Sequence, residues 1–264
     1  MLERAAYPET TGMAACRVSP YGIRMVSFVC ALAAGFLAGT VTIPAQRDAT
    51  LIEDPNGALA NGAGAAIFAG RTNQADDGLR RALLRFDLTP ESASAGLSPI
   101  SIESVAVVLT NTMSGDVAPR EFRLHRMLAD WGEGPSVGNG GIGAPAEAGD
   151  ATWVHAFYPD VFFLHNGAQF DGEPSARLVV EGPGVYRFEG DGLRRDLAAW
   201  LREPDRNFGW ILIGDETRPR TARSFGSREH PVPALRPVLE IRTSGGAGTI
   251  VRPATLPLRT PAKP

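Results

Sequence analysis

The ten residues LRRALLRFDL, residues 79–88, carry the clearest strand signal in the chain. Successive side chains of a β-strand point to opposite faces of a sheet, so the stretch divides into two sets. One face carries Arg81, Leu83, Arg85 and Asp87, and the other carries Ala82, Leu84, Phe86 and Leu88. The second set is entirely apolar, and it predicts a strand that turns this face toward a hydrophobic core.

Apolar, β-branched segments of the same kind recur along the chain, separated by clusters of Gly, Pro, Asn and Asp. They cover residues 65–69, 82–88, 101–110, 120–126, 176–180, 184–188, 210–213 and 238–242. The 30 glycines and 21 prolines also favour a loop-rich β fold over a helical one. We therefore predict an all-β protein, a jelly-roll-like antiparallel β-sandwich.

One segment has helical rather than strand periodicity. Leu193, Leu197, Trp200 and Leu201 recur at the spacing of one helix face, and Pro204 ends the run. The pattern predicts one short helix over residues 192–202, with Trp200 on its apolar side.

The N-terminal region resembles a secretory signal peptide. Arg17 and Arg24 precede a nearly uncharged, apolar stretch over residues 25–45 that ends in small residues. We predict that residues 1–46 form the leader, with cleavage near Ala45 or Gln46, and that the protein is secreted, periplasmic or attached to the cell surface. An uncleaved leader would instead anchor the chain in a membrane, because the run is nearly long enough to span a bilayer.

Composition excludes several classes of function. The two cysteines, Cys16 and Cys30, both lie in the leader, so the remainder has neither a disulfide nor a cysteine metal site. The net charge of -3 includes no basic block suited to nucleic acid. Glycines 138, 140 and 143 satisfy G-x-G-x-x-G, but no strand precedes them and no helix follows, so we assign no nucleotide site.

The sandwich domain is predicted to span residues 47–243. Within it, residues 132–150 are rich in Gly, Pro, Ala and Asn, a composition that predicts a long loop outside the core. Residues 244–264 have almost no large apolar side chains, and we predict a disordered tail.

Six motifs occur in a fixed order. They are LRRALLRFDL (79–88), HRMLADWGEG (125–134), GDATW (149–153), NFGWILIGDE (207–216), ARSFGSRE (222–229) and LRPVLEIRT (235–243). Together they resemble the DNRLRE-type domain, a β-sandwich of exported bacterial proteins related to a group of carbohydrate-binding modules. The resemblance covers residues 53–243 and implies export and polysaccharide binding. It departs from the family at residues 161–171, VFFLHNGAQFD, where relatives tend to have a tryptophan followed by a GGDF-like turn.

Aromatic and cationic side chains in the motifs are the candidates for ligand binding. An exposed tryptophan offers a platform for the apolar face of a sugar, and Trp131 and Trp153 both lie beside glycine-rich loops. Arg85 and Arg228 carry guanidinium groups that match the carboxylates of acidic sugars. The competing interpretation places Trp131 as a lid on the core and Arg85 in an ion pair with Asp87.

Acidic residues in the motif loops are the candidates for metal binding. Loop carboxylates are the ligands that a structural Ca²⁺ needs, although no contiguous D-x-D-x-D-G loop occurs. The candidates are Glu133, Asp150, Asp215, Glu216 and Glu229. The alternative makes them loop caps and ion-pair partners of Arg223, Arg228 and Arg236.

We predict an exported, non-catalytic protein that binds an extracellular polysaccharide. The first alternative is a structural surface or matrix protein without glycan binding. A polysaccharide lyase built on Tyr158, His155 and Arg123, or a glycosidase built on two acids, is a further alternative that no catalytic motif supports.

Overall fold

The structure, a computed structural model, describes residues 39–89, 97 and 101–244, so most of the predicted leader and nearly all of the predicted tail lie outside the described residues. The strands are β1 (Gly39–Ile52), β2 (Leu59–Ala60), β3 (Ala66–Arg71), β4 (Leu79–Phe86), β5 (Ile102–Ser114), β6 (Arg120–Met127), β7 (Ala144–Pro145), β8 (His155–Phe157), β9 (Val161–Phe162), β10 (Phe170–Val180), β11 (Gly184–Glu189), β12 (Trp210–Ile213), β13 (Arg223–Gly226) and β14 (Val238–Thr243). The α-helix α1 covers Asp191–Arg202, and short 3₁₀ turns cover Gly140–Ile142, Pro204–Arg206 and Pro233–Leu235.

Antiparallel pairing arranges the long strands in two layers. In the first layer β5 pairs with β11, β13 and β14, and β13 also pairs with β3. In the second layer β4 pairs with β12, β12 with β6, and β6 with β10. This arrangement confirms the predicted all-β class with a single short helix in the described part of the chain.

The main core lies between the two layers. Its buried apolar side chains come from both layers and from α1, and they include Leu84, Phe86, Val105, Val107, Leu109, Phe122, Leu124, Leu193, Leu197, Trp200, Trp210, Leu212, Phe225, Leu239 and Ile241. Phe122 of β6 meets Phe225 of β13 edge to face, with ring centroids 5.9 Å apart. Trp200 and Trp210 are both buried, as their positions in the sequence predict.

A second core lies on the other face of the second layer. Strands β1, β4 and β12 contribute Ala49, Leu51, Leu83, Ile211 and Ile213. Residues 128–169, which we call the cover segment, contribute Trp131, Ala151, Trp153, Ala156, Phe163 and Ala168. The prediction of a loop outside the core over residues 132–150 is therefore wrong in part, since Ser136 and Asp150 of this stretch are fully buried.

Strand β1 begins upstream of the predicted domain boundary. Gly39–Pro44 pairs with β14, and residues 45–52 pair with β4, so β1 joins the two layers. Ile43 is 1% exposed in the main core. A cut after Ala45 would remove the half of β1 that pairs with β14. The sandwich therefore includes Gly39–Gln46, upstream of the predicted boundary, whereas the leader itself stays a prediction.

All eight predicted strands and the helix are present; β12 has the predicted ends, and the ends of the others are shifted. Among the described residues, the analysis of periodicity missed β1, β13 and the short strands β2, β7, β8 and β9. Strand β13 has the sequence RSFG and is buried throughout, because Arg223 and Ser224 find polar partners inside the protein. Strand β1 was hidden because its apolar first half continues the leader-like run.

Helix α1 is tied to the second layer by a buried carboxylate. Asp196 accepts hydrogen bonds from the Trp210 Nε1–H group of β12, at 2.9 Å, and from the Ser175 hydroxyl of β10. Asp196 is 6% exposed, and burial raises the pKa of its carboxyl. The carboxylate therefore fixes α1 over the end of β12.

We expect Asp196→Ala to lower the free energy of unfolding by about 2 kcal/mol or more, because two buried donors lose their acceptor. Asp196→Asn keeps an acceptor oxygen and should cost about half as much. Urea denaturation of both variants checks this. Arg194→Ala, on the exposed side of the same helix, is the control and should stay within about 0.5 kcal/mol of the parent protein. Equal losses in Asp196→Ala and Arg194→Ala would contradict the assignment.

Candidate functional site

Trp131 is a core residue and not a sugar platform. Its side chain is 0% exposed, and its indole N–H donates to the carbonyl of Phe208 at 2.9 Å. Arg47 lies over the ring, 5.1 Å from its centroid, and donates to the Trp131 carbonyl at 2.6 Å. The prediction of ligand binding by Trp131 is therefore wrong, because the cover segment turns this side chain inward onto the second layer.

Trp153 is buried in the same second core. Its side chain is 7% exposed, and the guanidinium of Arg81 lies 4.8 Å from the ring centroid. Arg81 is itself held by Glu216 through two hydrogen bonds of 2.7 and 3.0 Å, and it donates to the carbonyl of Gly167. The predicted role of Trp153 in ligand binding is therefore also wrong, since the face that a sugar would need is covered by Arg81.

We expect Trp131→Ala to lower the free energy of unfolding by about 3–5 kcal/mol, as loss of a fully buried aromatic side chain does. Trp131→Phe keeps most of the volume and loses the bond to Phe208, at a cost of about 1–3 kcal/mol. Chemical denaturation followed by fluorescence measures both. Leu164→Ala, on the same segment but 80% exposed, is the control and should change stability by less than about 0.5 kcal/mol. A Trp131→Ala variant as stable as Leu164→Ala would refute the core assignment.

The two predicted binding arginines are engaged by carboxylates. Arg85 lies 3.3 Å from Asp130, which also holds Arg47, so the predicted pair with Asp87 is not the main contact. Burial, together with the neighbouring Arg47, lowers the pKa of Arg85. Arg228 donates to both oxygens of Glu133, at 3.0 and 2.6 Å. Both guanidinium groups thus take part in ion pairs, whereas their binding of a sugar carboxylate stays a prediction, with side chains that are 25% exposed in Arg85 and 37% exposed in Arg228.

Three of the five predicted metal ligands serve as caps or ion-pair partners. Asp150 is fully buried and accepts from the backbone N–H groups of Glu147 and Ser136. Asp215 caps the backbone N–H of Thr217 and lies 3.3 Å from Arg120, and Glu216 pairs with Arg81. For these three acids the alternative of caps and ion pairs is correct, although their arginine partners differ from the predicted ones.

The other two predicted ligands, Glu133 and Glu229, meet at one place with Asp48 of β1. One carboxylate oxygen from each of these residues lies within 4.8 Å of the others. We call Asp48, Glu133 and Glu229 the acid cluster. Asp48 is 0% exposed, and the sequence analysis missed it because it lies in a strand that the leader-like run concealed. A charged residue inside the apolar alternation of β1 is the signal that could have indicated it.

Burial dominates the electrostatics of the acid cluster. It raises the pKa of Asp48 well above its usual value, and the neighbouring Glu229 raises it further. Burial also raises the pKa of Glu229, against an opposing attraction from Arg228. Ionising all three carboxyl groups of the cluster therefore costs free energy, and a bound cation would lower that cost.

Two open grooves lie at one end of the second layer. The first has a volume of about 490 Å³ and is lined mainly by the cover segment, with Leu128, Leu164, His165, Asn166 and Gln169. The second has a volume of about 340 Å³ and is lined by Arg126, Trp200, Glu203, Arg206 and Phe208. Leu128 lines both grooves, so they adjoin. We call the two grooves together the end track.

His125 of β6 packs against Phe170, which lines the first groove of the end track. Its Nδ1 atom is 2.8 Å from the carbonyl oxygen of Asp171, and its ring meets Phe170 edge to face at 5.2 Å. Burial lowers the pKa of His125, with smaller contributions of the same sign from Arg123 and Arg177. The unfolded chain therefore binds the proton more tightly than the folded protein does.

We expect His125 to make the protein less stable in mild acid. The stability that it contributes is complete above the unfolded pKa of about 6.5 and is lost as pH falls toward the lower folded value. The free energy of unfolding, measured from about pH 7.5 to about pH 5.5, should fall less in His125→Asn than in the parent protein. The exposed His165→Gln variant should follow the parent curve. Parallel curves for parent and His125→Asn would contradict this account.

The residues of the alternative lyase set do not meet as a trio. His155 and Tyr158 pack edge to face with centroids 5.1 Å apart, whereas Arg123 lies on β6 and pairs with Glu121 at 3.5 Å. His155 is buried and its Nδ1 atom is 2.9 Å from the Thr152 hydroxyl, so its ring is already engaged.

Within the described residues, none of the helices combines the length and hydropathy of a membrane span.

Comparison of the chain with protein-family models and with curated proteins gave no significant match.

Proposed function

We propose that the protein is an exported, non-catalytic β-sandwich that binds an acidic extracellular polysaccharide along the end track. The basic, apolar and small-residue leader pattern supports export. The resemblance to the DNRLRE-type domain supports a jelly-roll-like binding module. The surface that we propose differs from the one that the sequence predicts, because Trp131 and Trp153 are buried and Arg85 and Arg228 are in ion pairs.

The mixed chemistry of the end track is the observation that carries this proposal. Leu164 is 80% exposed and Leu128 is 52% exposed, and both lie beside the polar side chains of His165, Asn166 and Gln169. A sugar ring has apolar C–H faces and a rim of hydroxyl groups, so it fits a surface of this kind. Leu128 links the two grooves, which gives the site the elongated form that a polymer chain requires.

The helix side of the end track supplies positive charge. The side chain of Arg206 is 73% exposed, and its contact with the equally exposed Glu203 is a weak one at 3.8 Å. A guanidinium with exposed donors can form bidentate hydrogen bonds with the carboxylate of an acidic sugar. Arg206 is therefore the residue that we assign to recognition of uronate groups.

A structural surface or matrix protein is the second candidate. The burial of Trp131 and Trp153 favours it, because the aromatic side chains of the motifs then serve the core and no ligand. The two candidates differ in one respect, which is saturable binding of a soluble polysaccharide.

We expect the purified protein, with β1 intact from Gly39, to bind a soluble polyuronate saturably and a neutral glucan more weakly. Arg206→Ala should weaken polyuronate binding about tenfold, equivalent to about 1.4 kcal/mol, because one charged contact is lost. Leu164→Ala should weaken binding of both polymers, since it removes apolar contact area. Isothermal titration and retardation in polysaccharide-containing gels measure these effects.

Matched controls come from exposed residues elsewhere on the sandwich. Arg242→Ala on β14 removes an exposed arginine, and Val185→Ala on β11 removes an apolar side chain that is 68% exposed. Both should bind as the parent does. Absence of saturable binding would favour the structural protein, and release of new chain ends from the polymer would favour an enzyme.

A further inference from the structure

The acid cluster draws its three carboxylates from separate parts of the chain. Asp48 comes from β1, Glu133 from the cover segment, and Glu229 from the connection between β13 and β14. One oxygen of each lies within 4.8 Å of the others. The fold itself, rather than a single loop, therefore brings these three acids together.

The immediate contacts of the cluster do not balance its charge. Arg228 is the cation that touches it, donating to both oxygens of Glu133 and lying 2.6 Å from Oε1 of Glu229. Backbone N–H groups supply two further donors, from Arg228 to Asp48 Oδ2 at 2.6 Å and from Asp48 to Glu133 Oε1 at 2.8 Å. Arg236 adds an attraction to Glu229. Among the described residues, the three carboxylates thus meet one guanidinium in direct contact, an imbalance that burial makes costly when all three are ionised.

Two oxygens of the cluster have no hydrogen-bond partner among the described residues. Oδ1 of Asp48 and Oε2 of Glu229 are buried and unpaired, and the Asp48 side chain is 0% exposed. Buried carboxylate oxygens in native proteins almost always have a donor, a water molecule or an ion as a partner. The unpaired atoms belong to the two acids that Arg228 leaves incompletely satisfied.

We propose that the acid cluster binds one divalent cation, of the Ca²⁺ class, with Asp48, Glu133 and Glu229 as its protein ligands. All the ligand atoms are oxygens, which excludes the soft donors that select zinc or copper. Oxygens on opposite sides of a Ca²⁺ ion lie about 4.6–5.2 Å apart, which accommodates the spacing of the cluster. The side chains of Glu133 and Glu229 are 15% and 23% exposed, so water can complete the coordination shell.

The bound ion would fasten three segments that carry no covalent link. It would hold the cover segment and the β13–β14 connection against β1, at the point where β1 passes from one layer to the other. The role we assign to it is therefore structural, and it is independent of polysaccharide binding at the end track.

A proton is the competing occupant of the cluster. Burial raises the pKa values of Asp48 and Glu229, so one of these carboxyl groups could be neutral in the metal-free protein. The two occupants have opposite consequences for the neutral amide variants. The Asp48→Asn substitution mimics a protonated acid and would leave a proton-occupied site unchanged, but it would weaken a cation site.

The test measures thermal unfolding of the protein with β1 intact from Gly39. The protein is first treated exhaustively with EDTA, and Ca²⁺ or Mg²⁺ is then added back. We expect Ca²⁺ at about a hundredfold excess over its dissociation constant to raise Tm by about 5–10 °C, because it binds the folded state alone. Asp48→Asn and Glu229→Gln should lose this response, and Glu147→Gln, which changes an exposed acid on the cover segment, should keep it. Equilibrium dialysis with Ca²⁺ should give one bound ion in the parent protein and none in Asp48→Asn.

The proposal fails if the EDTA-treated parent shows neither a Ca²⁺-dependent change in Tm nor a bound ion. It also fails if Glu229→Gln responds to Ca²⁺ as the parent does. If Asp48→Asn does not fold, Glu229→Gln replaces it as the test variant. If Arg206→Ala loses polysaccharide binding but keeps the Ca²⁺ response, then Ca²⁺ binding at the acid cluster is independent of polysaccharide binding at the end track.

Discussion

The second layer of the sandwich is apolar on both faces, and the rest of the structure follows from this constraint. In β4, Leu84 points into the main core while its neighbour Leu83 points the other way, and in β12 Leu212 and Ile211 repeat the pattern. A sheet with two apolar faces must be covered on both sides. The first layer and α1 cover one face, and the cover segment covers the other.

Arginines of the strands attach the cover segment through backbone carbonyl groups. Arg47 donates to the carbonyl of Trp131, Arg80 to that of Gly141 at 2.5 Å, and Arg81 to that of Gly167 at 2.8 Å. Guanidinium groups suit this task because several donors lie in one plane and the charge persists at any physiological pH. Burial lowers the pKa of Arg80 to about 10, which still leaves it protonated. Arg80 and Arg81 in the arginine-rich motif of β4 therefore hold the cover segment in place.

Apolar, β-branched segments were sufficient to predict eight strands, and helical spacing was sufficient to predict the helix, but neither pattern could assign function to particular side chains. The sequence places Trp131 beside glycines, a context shared by exposed platforms and by lids on a core. Only tertiary contacts decide between them, here the bond to Phe208 and the arginine above the ring. Two of the three acids of the cluster were predictable as candidate ligands, since Glu133 and Glu229 stand in motif loops. The charge of Asp48 within an apolar strand is a local signal, but nothing local relates Asp48 to its two partners far along the chain.

Burying irregular backbone costs free energy unless each buried N–H and C=O group finds a hydrogen-bond partner inside the protein. The cover segment meets this requirement with arginines and with buried carboxyl groups such as Asp150, which accepts from two backbone N–H groups of the segment. Charges that satisfy backbone groups must themselves be balanced, and most are paired within the described residues. The acid cluster lies where β1, the cover segment and the β13–β14 connection meet. There, two carboxylate oxygens lack a hydrogen-bond partner among the described residues. A cation there would complete the same scheme of polar support by which the outer face of the second layer is covered.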